Sequence, residues 1–388
     1  MRQLVANHIR EMLGRPVAVL PPPAVHHSGR EIINFTLGDP GKVDPRNFST
    51  PAHIQAAMAN GYKGEYFPPK GYGPLVDIIK EKEAGTDHVV VTNGGSEGME
   101  KLIQTVPGHI LMPSPCFPPY LEGHEYAGKE AKVYRVDFEH GPDLQDIEGK
   151  ITPNTVAILV INPNNPTGMS YSRKALEGVI EIARRHGLAI VADEVYHDLT
   201  FDRPALRIRD LTSDVPIIQL ESFSKKYLMC GHRVGWLAFY NINPELADLE
   251  AALVKRCTTR LCANAPGQMG AFAAVKNGTE HIEPMIAELK IRANAMIDGV
   301  TSISDTRLIT PQAGFYLWWG IRNSAFEKDT DFVKALQDQE AVYILPGSGF
   351  TRGEPECERL WFRAVFLSPV EKIQEGFERI VGFVARNS

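Results

Sequence analysis

Residues 156–168 read VAILVINPNNPTG, an unbroken apolar run that turns abruptly into Asn, Pro, Thr and Gly. Continuous rather than alternating apolarity predicts a strand buried on both faces, and the polar turn after it predicts a chemically useful edge. The same shape recurs on either side. HVVVT (88–92) leads into NGGSEG (93–98), HILM (109–112) into PSPCFP (113–118), LAIVA (188–192) into DEVY (193–196), and IIQL (217–220) into ESFSK (221–225). A further run, VGWLAFY (234–240), follows GHR (231–233). Between these runs, Met99, Leu102 and Ile103 recur at helical spacing, as do Leu176, Val179, Ile180 and Ala183. Strands alternating with helices predict an α/β fold, with a large domain whose mostly parallel sheet is sandwiched by helices.

The ends of the chain read differently. Residues 1–40 carry three prolines at 21–23 and little periodicity. A helix is expected over 283–300, with Met285, Leu289 and Met296 on its apolar face. Short strands (314–319 and 358–365) and helices (331–339 and 370–385) follow. The division read from this is a large domain over 49–282, and a smaller α+β domain built from both termini, 1–48 and 283–388.

Composition excludes several classes of function. Of 388 residues, 43% are hydrophobic and 23% charged, which is globular and not extended disorder. Lys plus Arg is 41 against 47 for Asp plus Glu, a net charge of −6. That balance argues against nucleic acid and against an anionic membrane surface as partners. The five cysteines are scattered, and Cys257 and Cys262 lack the second pair of a zinc site. No metal is expected, and reduced thiols suit a cytoplasmic enzyme. No apolar run approaches the ~20 residues of a membrane span, and residues 1–13 lack the apolar core of a secretion signal. His26 and His27 have no ligand spacing to another His or Cys.

In doubly wound sheets, ligands bind at the carboxyl ends of the strands. The polar groups after each run therefore converge on one edge. Together, NPNNPTG (162–168), DEVY (193–196) and SFSKKYLMCGHRVG (222–235) resemble the signatures, in their usual order, of the fold-type I pyridoxal-phosphate enzymes. Among these they are most similar to the class I/II aminotransferases of the alanine and aspartate types. The resemblance extends from Gly38 to Arg363 and implies pyridoxal 5′-phosphate as cofactor.

On that resemblance Lys225 forms the Schiff base and moves the proton at the substrate α-carbon, with burial expected to lower its pKa. Lys226 is the rival, read as an exposed lysine. Asp193 is expected beneath the pyridine nitrogen, keeping it protonated, and Tyr196 and Asn165 on the ring oxygen. Backbone N–H groups of Gly95, Ser96 and Glu97 at a helix start would meet the phosphate, with the Glu97 carboxylate turned away. Arg233, Ser222 and Ser224 would complete that cradle, and Phe117 would stack on the ring. Tyr66 matches a phosphate ligand supplied by the other subunit, which implies a homodimer. Gly38, Asn165 and Arg363 match the substrate-carboxylate site. Tyr316 reads as small-domain core that could also reach the site, beside Trp318 and Trp319.

The departures are local. Val76 stands where relatives often carry Arg, the stretch 76–88 is short, and no second arginine marks a distal carboxylate site. The implied activity is ping-pong transfer of an amino group from an α-amino acid to a 2-oxo acid. Alanine-, aspartate- and aromatic-type donors are open, with 2-oxoglutarate and pyruvate as acceptors. One rival is a carbon–sulfur lyase or related elimination enzyme on the same scaffold. The other is a cofactor-sensing transcription regulator, which would need an added basic DNA-binding domain.

Overall fold

The structure is a computed structural model that describes residues 26–60, 62–323, 325–352 and 359–387. Residues 1–25, Cys357 and Glu358, the first residue of the strand expected at 358–365, lie outside the described residues. A short strand, β1 (Ile33–Asn34), opens the described fold. The large sheet comprises β2 (Val89–Thr92), β3 (His109–Ser114), β4 (Val133–Asp137), β5 (Gly141–Pro142), β6 (Thr155–Ile161), β7 (Ala189–Asp193), β8 (Ile217–Ser222) and β9 (Gly235–Tyr240). Its spatial order is β2-β9-β8-β7-β6-β3-β4-β5. The strands from β8 to β4 in that order run parallel, while β9 is antiparallel to both its neighbours and β5 pairs antiparallel with β4. The α/β class and the mostly parallel sheet are thus as expected.

Period-two alternation explains how unbroken apolar runs bury both faces. Ile158 and Val160 of β6 pack with Leu176, Val179, Ile180 and Ala183 of the helix Arg173–His186. Ala157, Leu159 and Ile161 face the other way, towards Met99, Leu102 and Ile103 of the helix Gly94–Thr105. Local chemistry sets the helix ends. Ser172 caps Arg173–His186 by accepting from Ala175 N, and Gly187 closes it at φ 63.

A second layer holds β10 (Thr306–Ile309), β11 (Tyr316–Ile321), β12 (Val342–Tyr343), β13 (Leu345–Pro346) and β14 (Leu360–Val365). Four of them form a sheet in the order β10-β11-β14-β13, and β12 pairs in parallel with β1. The helices Ile282–Thr301 and Val370–Arg386 cover this layer, burying Met285, Leu289, Met296, Ile373, Phe377 and Ile380. Trp318 and Trp319 of β11 are core residues. Phe35 N donates to Tyr343 O and Phe35 O accepts from Val365 N, so residues 35–39 run from this layer to the edge of the large sheet.

Candidate active site

A cavity of about 240 Å³ opens at the carboxyl ends of β6, β7 and β8, against residues 36–39 and the second layer. Every residue assigned from the sequence to cofactor or substrate lines it except Glu97 and Tyr66, and the rival lysine, Lys226, does not.

Lys225 follows β8 through a short turn. Its Nζ donates to Gly38 O at 2.7 Å and lies 3.8 Å from Cys230 Sγ. Burial acts to lower its pKa, but Tyr316, Cys230 and Asp39 outweigh burial, and the net shift is upward. The expected lowering therefore does not hold for the cofactor-free chain. Lys226 also departs from expectation. Its side chain is only 13% exposed and is paired with Glu83 Oε2 at 3.0 Å and Asp198 Oδ2 at 2.9 Å. It points away from the cavity because carboxylates distant in sequence hold it there.

Asp193 ends β7 at the cavity floor, 5% exposed. Its Oδ2 accepts from Tyr120 Oη at 2.8 Å and its Oδ1 from Val195 N at 3.2 Å. Burial pushes its pKa up to about 6, against the pull of those two donors and with help from Glu194. This is a buried carboxylate suited to a cationic partner. Above it, Tyr196 Oη and Tyr316 Oη are 2.6 Å apart. Asn165 leaves Oδ1 buried without a protein partner.

An anion cradle lies at one end. The helix Gly94–Thr105 begins here, presenting Gly95 and Ser96 to the cavity. Glu97 caps that helix. Its Oε2 accepts from Asn93 N at 2.6 Å and its Oε1 is 3.0 Å from Arg260 Nε, so the carboxylate faces away from the cavity. Gly94 has φ 78, and a Cβ built there would collide with the Arg233 guanidinium. The close approach of backbone to arginine thus requires glycine. Ser222 Oγ donates to Ser224 Oγ at 2.8 Å, and both hydroxyls border the same space.

At the opposite end, Arg363 of β14 is 3% exposed, so it is not a surface strand residue. Its Nη2 donates to Thr36 O at 2.7 Å, and its Nε is buried without a partner. The guanidinium lies 4.8 Å from the Tyr316 ring centroid and 4.9 Å from that of Phe350. A Cβ on Gly38 would come within 2.8 Å of Tyr316 Oη. Phe117 forms one wall and meets Tyr120 edge-on at 5.3 Å. Tyr66 is 76% exposed and apart from the cavity.

Sequence reasoning missed Tyr120 and Asp39, both on the cavity wall. Tyr120 sits three residues past Phe117 in the helix Pro118–Tyr126, and only its contact with Asp193 reveals it. Asp39 adjoins Gly38 and caps the short helix Pro40–Val43. Cys116, Cys230, Cys257 and Cys262 are free thiols. Among the described residues no helix is long and apolar enough to cross a membrane.

Comparison with known proteins agrees with this geometry. Residues 42–380 match the family of class I and II aminotransferases. The chain is 28% identical to an aspartate aminotransferase of Thermotoga maritima, over 93% of each chain. It is 29% identical to a glutamate-pyruvate aminotransferase of Haemophilus influenzae, over 93% of this chain and 92% of that one. The solved alanine aminotransferase of Pyrococcus furiosus superposes with a TM-score of 0.86 at 30% identity, covering 92% of this chain and 93% of the other. None of these three is named a lyase. The chain belongs to the class I and II aminotransferases and is a transaminase.

Proposed function

We propose that the protein holds pyridoxal 5′-phosphate in this cavity and moves an amino group from an α-amino acid to a 2-oxo acid. One observation carries the reading. A lysine amine, a buried carboxylate pushed up to about 6 and a buried arginine with a partnerless Nε share one cavity of about 240 Å³.

The residues fit the group. Arg233, the start of the helix Gly94–Thr105 and the Ser222 and Ser224 hydroxyls suit a phosphate. Asp193 suits a protonated ring nitrogen, since a cation there would favour its charged form. Asn165, turned about its amide, offers an N–H to a ring oxygen, as the Tyr196 phenol offers its O–H. Phe117 supplies an aromatic face. Bound there, the cofactor supplies a carbonyl for the amine and an electron sink for the substrate α-carbon.

The chain's own groups do the rest. Arg363 fixes the substrate carboxylate with its planar fork, and the Gly38 backbone borders the same place. That would orient the α-C–H towards Lys225, whose Nζ would serve as the base and acid that takes up and gives back the α-proton. Asp193, as a carboxylate, would favour the protonated form of the ring nitrogen. Closure of residues 36–39 and β14 over the substrate would exclude water.

We further propose a homodimer in which Tyr66 completes the partner's phosphate site; its 76% exposure in one chain supports this. Small-molecule amino acids and 2-oxo acids are the partners read here, and the free thiols suit the cytoplasm.

The test is direct. The purified protein, supplied with the cofactor, should develop a visible absorbance. Borohydride should then fix the cofactor mass on the peptide containing Lys225, and a screen of amino donors against 2-oxo acids should give turnover. Protein that stays colourless and unmodified at Lys225 would overturn the reading.

A further inference from the structure

The segments that carry the cavity residues also carry charged side chains that point elsewhere. Glu194 follows Asp193, Glu221 precedes Ser222, Lys226 follows Lys225, and Asp198 lies two residues past Tyr196. Neighbouring strand residues point to opposite faces, so Glu221 of β8 enters the interior behind Ser222; the other three lie in the turns that follow β7 and β8. None of these four lines the cavity.

They form one network. Arg207 Nη1 lies 3.1 Å from Glu194 Oε2 and 3.0 Å from Glu221 Oε1, and its Nη2 lies 3.7 Å from Asp198 Oδ2. Lys226 Nζ continues the chain from Asp198 to Glu83. Tyr227 Oη donates to Glu83 Oε1 at 2.7 Å. Glu194 also accepts from Gln219 Nε2 at 2.7 Å and from Ile208 N at 3.0 Å. Glu194 is 2% exposed and Glu221 6%; the Arg207 side chain is 11% exposed.

Buried ion pairs are a poor source of stability, because desolvation cancels most of their attraction. What this network supplies is geometry. It ties residues 193–198, 221–222 and 225–227 to one another through two cations. We propose that Arg207 and Lys226 are positioning residues, holding the backbone segments from which Asp193, Tyr196, Ser222 and Lys225 enter the cavity. Lys226 is then the anchor of the Lys225 segment. The inference rests on the transaminase reading of the cavity.

Two variants test it. Arg207→Lys keeps a buried positive charge, but an ammonium cannot reproduce the planar fork that spans Glu194, Glu221 and Asp198. The double variant Lys226→Met, Glu83→Gln removes one charge of each sign and leaves Asp198 with Arg207. In the holoenzyme, kcat should fall about tenfold or more with the donor KM within about twofold, as a displaced reacting group demands. The pH midpoint of the bound cofactor's absorbance should move by about half a unit or more, since it reports the surroundings of Lys225 and Asp193.

Amide hydrogen exchange on the cofactor-free chain should speed up at 193–198 and 222–228. Folded variants with parental kcat, midpoint and exchange would overturn the proposal. A parent protein that shows neither absorbance nor turnover would instead overturn the transaminase reading. In that case the exchange comparison still decides whether the network holds these segments.

Discussion

The phenol of Tyr120 donates to Oδ2 of Asp193 at 2.8 Å, from the helix that follows Phe117. Burial drives the Asp193 pKa upward, and this donor, with Val195 N–H, limits the rise to about 6. Tyr120 therefore helps to keep a carboxylate charged where the proposed mechanism needs it charged. Tyr120→Phe keeps the ring and removes the donor. A hydrogen bond to a charged group is worth about 1.5–3 kcal/mol, so kcat is expected to fall about tenfold or more. Steady-state kinetics check it; an unchanged kcat would show that Val195 N–H suffices alone.

Asp193 also predicts a pH dependence of stability in the cofactor-free protein. Its folded-state pKa, about 6, lies above the ordinary 3.8. Between those values the folded chain holds a proton that the unfolded chain has released. The contribution is complete below 3.8 and is lost as pH rises through about 6. Asp193→Asn carries no charge at any pH and escapes this loss. Its stability should match the parent's at the acid end and exceed it above pH 6 by about 3 kcal/mol at most. With cofactor bound the order should reverse, because a cationic partner favours the carboxylate. Thermal unfolding across pH, with and without cofactor, measures both; parallel apo curves would count against an uncompensated carboxylate.

The sequence was most readable where one residue run determines its own environment. VAILVI, LAIVA and IIQL are buried on both faces in the structure, because a β-branched run has no other stable placement in a covered parallel sheet. Polar residues immediately after such strands were legible for the same reason, and Asn165, Asp193, Ser222 and Lys225 all reach the cavity. What could not be read depends on partners distant along the chain. Lys226 reads as a surface charge in the sequence, but Glu83, 143 residues away, binds it. Tyr120 follows two prolines in a helix with no pronounced apolar stripe, and only its contact with Asp193 marks it. The upward shift at Lys225 arises from Tyr316, Cys230 and Asp39 acting against burial. Two-residue strands such as β1 and β12 carry too little pattern to be seen before their pairing partner is known.

Arg363 has one nitrogen committed to Thr36 O and a buried Nε with no protein partner. That donor is expected to be satisfied by a substrate carboxylate. Arg363→Lys keeps the charge and loses the fork. Its kcat/KM for an α-amino acid should fall about 10–100-fold, the range for one or two charge-assisted hydrogen bonds. The corresponding amine without a carboxylate should be affected only a few-fold. Single-turnover rates with the two compounds give the comparison, and an equal loss for both would assign Arg363 to the scaffold.

Two adjacent glycines separate anion binding from packing. At Gly94, φ 78 is costly for any L side chain, and a Cβ would enter the space of the Arg233 guanidinium. Gly94→Ala should therefore lose about 1–2 kcal/mol of stability through the backbone. It should also displace the cation that faces the cradle. At Gly95 the new Cβ would meet Leu220 Cδ2 at 2.9 Å, a packing conflict that leaves Arg233 in place. Both variants should lower Tm. Only Gly94→Ala should weaken cofactor binding through the phosphate, by about tenfold for one charge-assisted contact. Titration of each cofactor-free variant with pyridoxal 5′-phosphate, and with pyridoxal lacking the phosphate, distinguishes them. If Gly94→Ala weakens both compounds equally, the arginine is not the phosphate's partner and the turn serves only to join β2 to its helix.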